Sequence, residues 1–283
     1  MILIEKEITQ SDFNIILCGD IHQGNKLVHR SGVESLINNI NKKNTYFVFM
    51  GDATESITPR DKRYDLDTSE STTPLEQAGE IIDMFKPVRK KCLVWLTGNH
   101  ESKVDGLGNL VKGKICHELG IPYGTFSCRL TLVNNNASIL FSSYFHHGAG
   151  QLTAQHPDPF VCKSMLAYKL KQKLESFGGD CLLNAMGHIH KLITYRPSDE
   201  LYMVERNGDI KSCYTSKTIF NNNTSYINPQ DRWYVSTGGF LKLYGDIPAS
   251  GYAERGMLRP VELGYQVVRV ENGTITDIRK VLV

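Results

Sequence analysis

Five short segments of the sequence combine glycine with side chains that commonly bind metal ions. They read GDIH (19–22), GDATE (51–55), GNHE (98–101), HHG (146–148) and GHIH (187–190). Aspartate, asparagine and histidine offer oxygen and imidazole nitrogen ligands, which suit divalent Mn, Fe, Zn, Co or Ni. Each segment directly follows an apolar run that is predicted to be a buried strand. We therefore expect all five to meet in one site at the edge of a sheet.

The last of these segments places two histidines two positions apart. In extended chain, residues i and i+2 point to the same side, so His188 and His190 are expected to project together from the end of their strand. For an isolated H-x-H, packing of one imidazole and solvation of the other is the simpler interpretation. The four companion segments favour a shared site for ligands instead.

Apolar, β-branched or aromatic runs predict the strands that must position these segments. They begin at residues 14, 45, 92, 138 and 181. Helices are predicted over 31–42, from Thr73 to Pro87, over 107–119 and over 161–177, and the first two open with S-x-x-E and T-x-x-E patterns typical of a capping box. After Lys191 the helical pattern fades, and short strand-like runs indicate more sheet.

Composition restricts the class of protein. The chain has 283 residues, 22% of them charged, and a formal net charge of +2, without the basic excess of a non-specific nucleic-acid binder. Its seven cysteines are scattered and show no C-x-x-C spacing, which argues against a disulfide framework or a thiolate zinc site. We find no signal peptide and no run long enough to span a membrane, so we expect no membrane partner and a reducing, cytoplasmic setting.

The ordered set D-x-H, G-D, G-N-H-E, H-G and G-H-x-H, between Asp20 and His190, resembles the calcineurin-like metallophosphoesterase family. The resemblance implies an α/β fold: a sandwich of mixed β-sheets flanked by helices (αββα). We expect one domain over residues 1–283. Its β-rich C-terminal portion, from about residue 192, is a candidate for shaping substrate choice.

The resemblance also implies a site with two metal ions. One ion would be bound by Asp20, His22 and His190, the other by Asn99, His188 and a histidine of HHG, and Asp52 would bridge both. Mn is the first expectation for the metal, with Fe, Zn, Co or Ni as alternatives.

Either His146 or His147 is the expected ligand from HHG, because adjacent residues of extended chain point to opposite faces. His147 is preferred, since the family's ligand histidine usually precedes a glycine, as His147 precedes Gly148. His146 would then pack beneath the sheet or support a ligand.

Three further residues are expected beside the ligands. By resemblance, His100 would sit over the substrate and stabilise charge at phosphorus or protonate the leaving oxygen. Glu101 is expected behind the ligands or at a helix start. Glu55 stands where an aspartate or asparagine is common, three residues after the bridging aspartate, which weakens any role assigned there. His29, His117 and His156 lie outside the motifs and are expected at the surface or in packing.

The reaction expected from this site is hydrolysis of a phosphate ester. Two ions about 4 Å apart, bridged by a carboxylate and a hydroxide, would clamp the phosphate while the hydroxide attacks phosphorus. The stretch after Gly51-Asp52 lacks the arginine that marks protein serine/threonine phosphatases and the tyrosine ligand that marks purple acid phosphatases. The leading hypothesis is therefore a phosphodiesterase or nuclease acting on nucleotides, DNA or RNA.

Two alternatives remain at this point. A phosphomonoesterase would use the same ligands, and a non-catalytic scaffold could keep the metal site without turnover. Candidate contacts for phosphate are Arg196, Arg206, Arg232, Arg255 and Arg259. The sequence gives no indication of the oligomeric state.

Overall fold

The computed structural model describes residues 1–59, 61, 64–70, 72–104, 109–214, 225–245 and 252–283. In chain order the strands are β1 (Ile2–Glu7), β2 (Phe13–Cys18), β3 (Thr45–Phe49), β4 (Cys92–Trp95), β5 (Ser127–Val133), β6 (Ile139–His146), β7 (Leu183–Met186), β8 (Leu192–Tyr195), β9 (Leu201–Arg206), β10 (Asp209–Tyr214), β11 (Trp233–Thr237), β12 (Gly264–Glu271) and β13 (Thr274–Leu282).

The α-helices are α1 (Arg30–Ile40), α2 (Pro74–Phe85), α3 (His117–Leu119), α4 (Pro159–Leu174) and α5 (Tyr252–Arg255). Shorter 3-10 helices cover Lys86–Lys91, Glu101–Lys103 and Pro229–Asp231, and a π-helix covers Val111–Cys116. Within the described ranges, no helix is both long and apolar enough to cross a membrane.

One sheet has five strands in the order β13-β12-β2-β3-β4. Its centre is parallel, since β2 pairs with β3 and β3 with β4 in the same direction, while β12 lies antiparallel to β2. In β2, Ile15 and Leu17 point into one core cluster, and Ile16 and Cys18 point into another. The strand is buried on both faces, which explains why its sequence is a continuous apolar run.

The second sheet has six strands in the order β1-β5-β6-β7-β11-β8. Its centre is also parallel, because β6, β7 and β11 run in the same direction. The β-rich C-terminal portion contributes β8 and β11 to this sheet and β12 and β13 to the other. Strands from distant parts of the chain thus complete both sheets.

The layers are helix, sheet, sheet and helix. The hydrophobic core between the two sheets includes Leu17, Val48, Phe145, Val235 and Val268. On the outer face of the five-stranded sheet, α1 and α2 bury their apolar stripes against Phe49 and Trp95. On the outer face of the six-stranded sheet, α4 packs its leucines against Met186 and Tyr234. The predicted fold, a sandwich of mixed sheets flanked by helices, is confirmed.

The five strands predicted to carry the motifs are present as β2, β3, β4, β6 and β7. The predicted capping box at α2 is also present: the backbone N–H of Thr73 donates to Glu76 at 2.6 Å, and Glu76 N–H donates to the Thr73 hydroxyl at 3.3 Å. The capping box at the first helix is wrong. His29 caps α1 instead, because its Nδ1 accepts the N–H of Gly32 at 2.8 Å.

The other two predicted helices differ in form or extent. The segment predicted over 107–119 is a π-helix followed by α3, and residues 107 and 108 lie outside the described part of the chain. The helix predicted over 161–177 runs from Pro159 to Leu174 and buries Leu170 and Leu174. All seven cysteines are free thiols.

Strands β9 and β10 form a separate two-stranded hairpin. Directly paired residues share a face of such a ribbon, so Leu201, Met203, Ile210 and Tyr214 lie together on one side. Their exposed fractions are 60, 74, 77 and 65%. We call these four residues the apolar face of the hairpin.

Candidate metal centre

The predicted site residues lie on loops that follow β2, β3, β4, β6 and β7. These strands are parallel neighbours within their sheets, so their carboxyl ends meet at one edge of the sandwich. Three overlapping groups have potential ligand atoms within 4.8 Å of one another. They are Asp20, His22 and His190; His22, Asp52 and His100; and Asp52, His147 and His188.

Asn99 completes this arrangement, with its Oδ1 3.0 Å from Nε2 of His147. The structure therefore brings together all seven side chains that were expected to bind metal. We call them the cluster: Asp20, His22, Asp52, Asn99, His147, His188 and His190.

One half of the cluster, the His22 half, consists of Asp20, His22 and His190. Nε2 of His190 lies 3.2 Å from Nε2 of His22 and 3.4 Å from Oδ1 of Asp20. Asp20 is fully buried and His22 is only 3% exposed. Three potential ligand atoms from β2 and β7 therefore point at a common position.

The other half, the His147 half, consists of Asn99, His147 and His188. Nε2 of His147 lies 3.3 Å from Oδ2 of Asp52, and the rings of His147 and His188 are 5.2 Å apart. The same Asp52 oxygen is 3.9 Å from Nε2 of His22. Asp52 thus stands between the halves.

Of the two neighbouring histidines, His147 faces the cluster. It is fully buried, and its Nδ1–H donates to the carbonyl of Met50 at 2.8 Å. His146 is half-buried at the end of β6, and its Nδ1 accepts the N–H of Gly148 at 2.7 Å. His146 belongs to none of the three groups of ligand atoms.

His188 and His190 do not project as a pair, so that prediction is wrong. Strand β7 ends at Met186, and both histidines have left-handed backbone, with φ of 69° and 50°. The segment is therefore a tight bend in which one imidazole enters each half of the cluster. The bend is fixed from β2, because the N–H of His188 donates to both carboxylate oxygens of Asp20, at 3.2 and 3.0 Å.

Left-handed backbone recurs at three of the other five ligand positions. Asp20, His22 and Asp52 have φ of 52°, 60° and 52°. Aspartate and histidine are among the non-glycine residues most often found there, although each such residue costs about 1–3 kcal/mol when strained. The loops after β3 and β4 also approach each other closely. A Cβ on Gly98 would lie 2.0 Å from Oδ1 of Asp52, which explains the glycine of GNHE.

Acceptors behind the histidines fix which nitrogen faces the cluster. Nδ1–H of His22 donates to Oε2 of Glu55 at 2.9 Å, as Nδ1–H of His147 does to Met50. Both rings therefore turn Nε2 toward the other ligand atoms. Such acceptors are typical partners of metal-binding histidines.

The electrostatics of the cluster favour positive charge. Burial would lower the pKa of His22, but the hydrogen bond to Glu55 and the charges of Glu55, Asp52 and Asp20 raise it to about 9. Burial would also lower the pKa of His147, but its hydrogen bond to Asp52 raises that pKa to about 9. Burial would raise the pKa of Asp52, whereas His147 and His22 bring it well below its usual range.

These shifts have one cause: carboxylate oxygens, an amide oxygen and imidazole lone pairs converge in a buried space. Protons satisfy them in part, and divalent cations would satisfy them better. The residues present therefore fit divalent metal ions with nitrogen and oxygen ligands.

His100 lies beside the two halves. Its backbone N–H donates to Oδ1 of Asp52 at 2.9 Å, its Nδ1–H donates to the carbonyl of Glu55 at 2.6 Å, and its ring is 4.5 Å from that of His22. Burial and the charge of His22 lower the pKa of His100 to about 4. The imidazole is therefore neutral at pH 7.

Glu55 has contacts that the sequence pattern did not indicate. It is 7% exposed, and besides His22 it accepts a long hydrogen bond from Asn25 at 3.4 Å. Burial would raise its pKa, but the bond to His22 lowers it. Glutamate is one methylene longer than the aspartate that is common at this position, and this length is compatible with the contact to His22 across the site.

Glu101 lies behind the cluster, with 2% of its surface exposed. Its carboxylate accepts four backbone N–H groups: those of Asp52, Ala53 and Thr54 at 3.3, 2.5 and 3.2 Å, and that of Gly98 at 2.9 Å. Burial and the charge of Asp52 raise its pKa to about 7, while the amide donors favour the ionised form. Glu101 thereby ties the loop after β3 to the loop after β4.

The arginines considered as phosphate contacts do not join the cluster in the described part of the chain. Arg232 is fully buried and donates to the carbonyls of Ile227 and Glu175, so that interpretation is wrong for this residue. Arg196 pairs with Asp277 at 2.8 Å. Arg206 and Arg259 are exposed. The side chain of Arg255 lies outside what the structure describes.

The three histidines outside the motifs are also at the surface or in local contacts. His29 caps α1, and His117 and His156 are exposed. Sequence reasoning missed the carbonyls of Met50 and Glu55 as partners of cluster imidazoles and of His100. Main-chain acceptors carry no sequence signal.

A match to a known protein family includes the residues of the site. A family model for calcineurin-like phosphoesterases matches residues 13–211, a range that includes the whole cluster. No curated protein sequence matches the chain. Among solved structures, the chain is similar to an NAD nucleotidase of Haemophilus influenzae, with 13% identity and a TM-score of 0.38. The match covers 95% of this chain but about half, 49%, of that one.

Because the family model spans well over half of the sequence, the chain belongs to the calcineurin-like phosphoesterase family of hydrolases.

Proposed function

We propose that the chain hydrolyses phosphodiester bonds, with nucleotides or nucleic acids as the substrate class, at a site for two divalent cations. The observation that supports this most directly is the position of Asp52. Its Oδ2 lies 3.3 Å from Nε2 of His147 and 3.9 Å from Nε2 of His22. A carboxylate shared between two sets of ligands is the arrangement expected of a two-metal site.

The cluster divides the binding of the ions. Asp20, His22 and His190 would bind one, Asn99, His147 and His188 the other, and Asp52 both. When bound, the ions would supply Lewis acidity, polarising the phosphate and lowering the pKa of the water that attacks phosphorus. Mn is our first choice of metal, with Fe, Zn, Co or Ni as alternatives, because imidazole and oxygen ligands suit all of these and none of the ligands is a thiolate.

His100 would handle a proton beside the reacting phosphate. The carbonyl of Glu55 takes its Nδ1–H, so exchange of a proton would occur at Nε2. With its pKa lowered to about 4, the ring is neutral at pH 7 and a weaker base than free imidazole, so its Nε2 lone pair would receive a proton only as one is released by the reacting groups.

The buried lysine and arginine side chains of the described residues do not contact the cluster. Lys171 lies against Glu175 and Tyr195, and Arg232 donates to backbone carbonyls. A phosphodiester carries one negative charge, whereas a phosphomonoester carries up to two near neutral pH. Two divalent ions held by two aspartates would attract either ester, and the described residues offer no buried guanidinium or ammonium that would select for the second charge of a monoester.

The test compares two model esters. The chain is freed of metal with a chelator, reloaded with Mn²⁺, and assayed on bis-(p-nitrophenyl) phosphate and p-nitrophenyl phosphate. We expect metal-dependent cleavage that is faster on the diester, after which nucleotides, DNA and RNA are compared. Faster cleavage of the monoester would identify a phosphomonoesterase. Metal binding without turnover of any phosphate ester would identify a non-catalytic scaffold and overturn the proposal.

A further inference from the structure

We infer that the two halves of the cluster bind divalent cations with unequal affinity, and that Glu55 makes the His22 half the tighter one. The inference rests on the proposed two-metal function. It adds the order in which the ions bind and names a residue, outside the ligands themselves, that sets this order.

Different acceptors lie behind the two imidazoles. In the His22 half, Nδ1–H of His22 donates to a carboxylate oxygen of Glu55 at 2.9 Å. In the His147 half, Nδ1–H of His147 donates to the neutral carbonyl of Met50 at 2.8 Å. An anionic carboxylate is a stronger hydrogen-bond acceptor for this N–H than a neutral carbonyl is. It therefore makes the opposite nitrogen of the imidazole a better metal ligand. The two histidines are therefore matched in geometry and different in donor strength.

The ligands themselves add to this difference. Asp20 supplies a fully buried carboxylate to the His22 half. The corresponding oxygen in the His147 half is the neutral amide of Asn99, 3.0 Å from Nε2 of His147. Since Asp52 is shared, it does not distinguish the halves. The His22 half therefore has the greater attraction for a cation.

Glu101 is the other buried carboxylate near the cluster, and it does not cancel the difference. Its two oxygens accept four backbone N–H groups, whose dipoles offset its charge. Its described contacts are with main-chain donors, not with a cluster imidazole. Glu55, in contrast, directs Oε2 to Nδ1 of His22 at 2.9 Å. Its other neighbours are Asn25, which donates a long bond at 3.4 Å, and Nδ1 of His100 at 3.7 Å.

A single substitution can separate the charge of Glu55 from its shape. Glu55→Gln keeps the length of the side chain and an oxygen that can accept the His22 N–H, but it removes the charge. The contact between the Glu55 carbonyl and His100 is made by the main chain and is retained. The substitution therefore changes the donor strength of His22 without removing a ligand.

The experiment is a calorimetric titration of the metal-free full chain with Mn²⁺. For the wild type we expect two binding steps with clearly different affinities. Glu55→Gln should weaken the first step by about 10–100-fold, the range found when partners of metal ligands are lost, and leave the second step unchanged.

The matched control is Glu80→Gln. Glu80 is an exposed carboxylate that accepts a hydrogen bond from Gln23, the residue after His22, at 2.5 Å. The substitution removes a nearby charge from a residue that does not contact a cluster imidazole. Both steps should keep their wild-type affinities in this variant.

A second measurement on the wild type covers the case in which Glu55→Gln does not fold. With one equivalent of Zn²⁺, histidine 15N NMR signals of His22 and His190 should shift before those of His147 and His188. Two equal steps, a first equivalent that enters the His147 half, or unchanged affinities in folded Glu55→Gln would overturn the inference. Each of these results would leave the two-metal function standing, whereas absence of metal binding would overturn that function itself.

Discussion

The loops of the cluster and the β9–β10 hairpin reverse the usual distribution of side chains in opposite ways. Asp20 and His147 are polar and fully buried. Met203 and Ile210 on the apolar face of the hairpin are 74 and 77% exposed. Polar groups are costly to bury unless they are paired, and exposed apolar groups contribute little to stability.

The difference lies in what supports each region. Cluster residues receive contacts from both sheets, such as the bond from His188 of β7's loop to Asp20 after β2. The hairpin is paired strand to strand, as a separate two-stranded sheet. An isolated two-stranded hairpin is only marginally stable in water. Substitutions should therefore have large effects at the cluster and small ones on the hairpin.

The largest effect is expected for Asp52→Asn. Asparagine tolerates the left-handed backbone at this position, so the variant should fold, but it removes the charge shared by the two halves. We expect kcat/KM on the diester to fall by about 10³-fold or more, with fewer than two Mn²⁺ bound. Steady-state kinetics and metal analysis measure both. Full turnover in this variant would refute a catalytic role for the cluster.

The next largest effect is expected for Glu101→Gln, and it concerns stability. An amide nitrogen would face backbone N–H groups that the carboxylate now accepts, and each unsatisfied donor costs about 1–3 kcal/mol. The free energy of unfolding should fall by about 3 kcal/mol in urea titrations at pH 8, where the carboxylate is ionised. The control Glu118→Gln breaks an exposed pair with Lys114 and should cost no more than about 0.5 kcal/mol. Equal losses in the two variants would contradict a special role for Glu101.

His100→Asn should affect turnover and spare metal binding. Loss of a proton-transfer group costs about 10²-fold or more in kcat, and His100 is not among the seven side chains assigned to the ions. Its position near His22 and Asp52 makes the metal count decisive. If the variant binds one Mn²⁺ fewer, His100 is a ligand and the assignment must change.

The smallest effect is expected on the hairpin. Ile210→Ser should change the free energy of unfolding by no more than about 0.5 kcal/mol and leave kcat/KM unchanged, because the side chain is already exposed. Ile16→Ser is the matched control in the core, where the side chain is 1% exposed. It should lower the free energy of unfolding by several kcal/mol, roughly as large truncations of core side chains do. A large loss for Ile210→Ser would show that the hairpin is supported by more than its own pairing.

The sequence predicts the site because its ligands directly follow strands. Continuous apolar runs such as that of β2 are typical of parallel strands buried on both faces, and Asp20, Asp52 and Asn99 come two, three and four residues after their strands end. Once these strands are known to be parallel neighbours, convergence of the ligands follows. That part of the fold and of the site follows from the order of the residues.

The remainder depends on geometry that residue order does not encode. The bend at His188 and His190 follows from two positive φ angles, whereas a spacing of two residues indicates only extended chain. Capping of α1 by His29 prevailed over the Ser31 pattern, although the pattern was correct at Thr73. The contact between Glu55 and His22 joins residues 33 positions apart and required the folded structure.

The left-handed backbone of the cluster also restricts which amino acids can occupy its positions. Asp20, His22, Asp52, His188 and His190 all have φ between 50° and 69°. This region admits glycine, asparagine, aspartate and histidine more readily than other residues. Glutamate at position 20 or 52 would preserve the charge yet fit the backbone less well. Divergent members of the family with this same backbone should therefore vary their ligands within a small set of residues. Backbone conformation would restrict that set as much as ligand chemistry does.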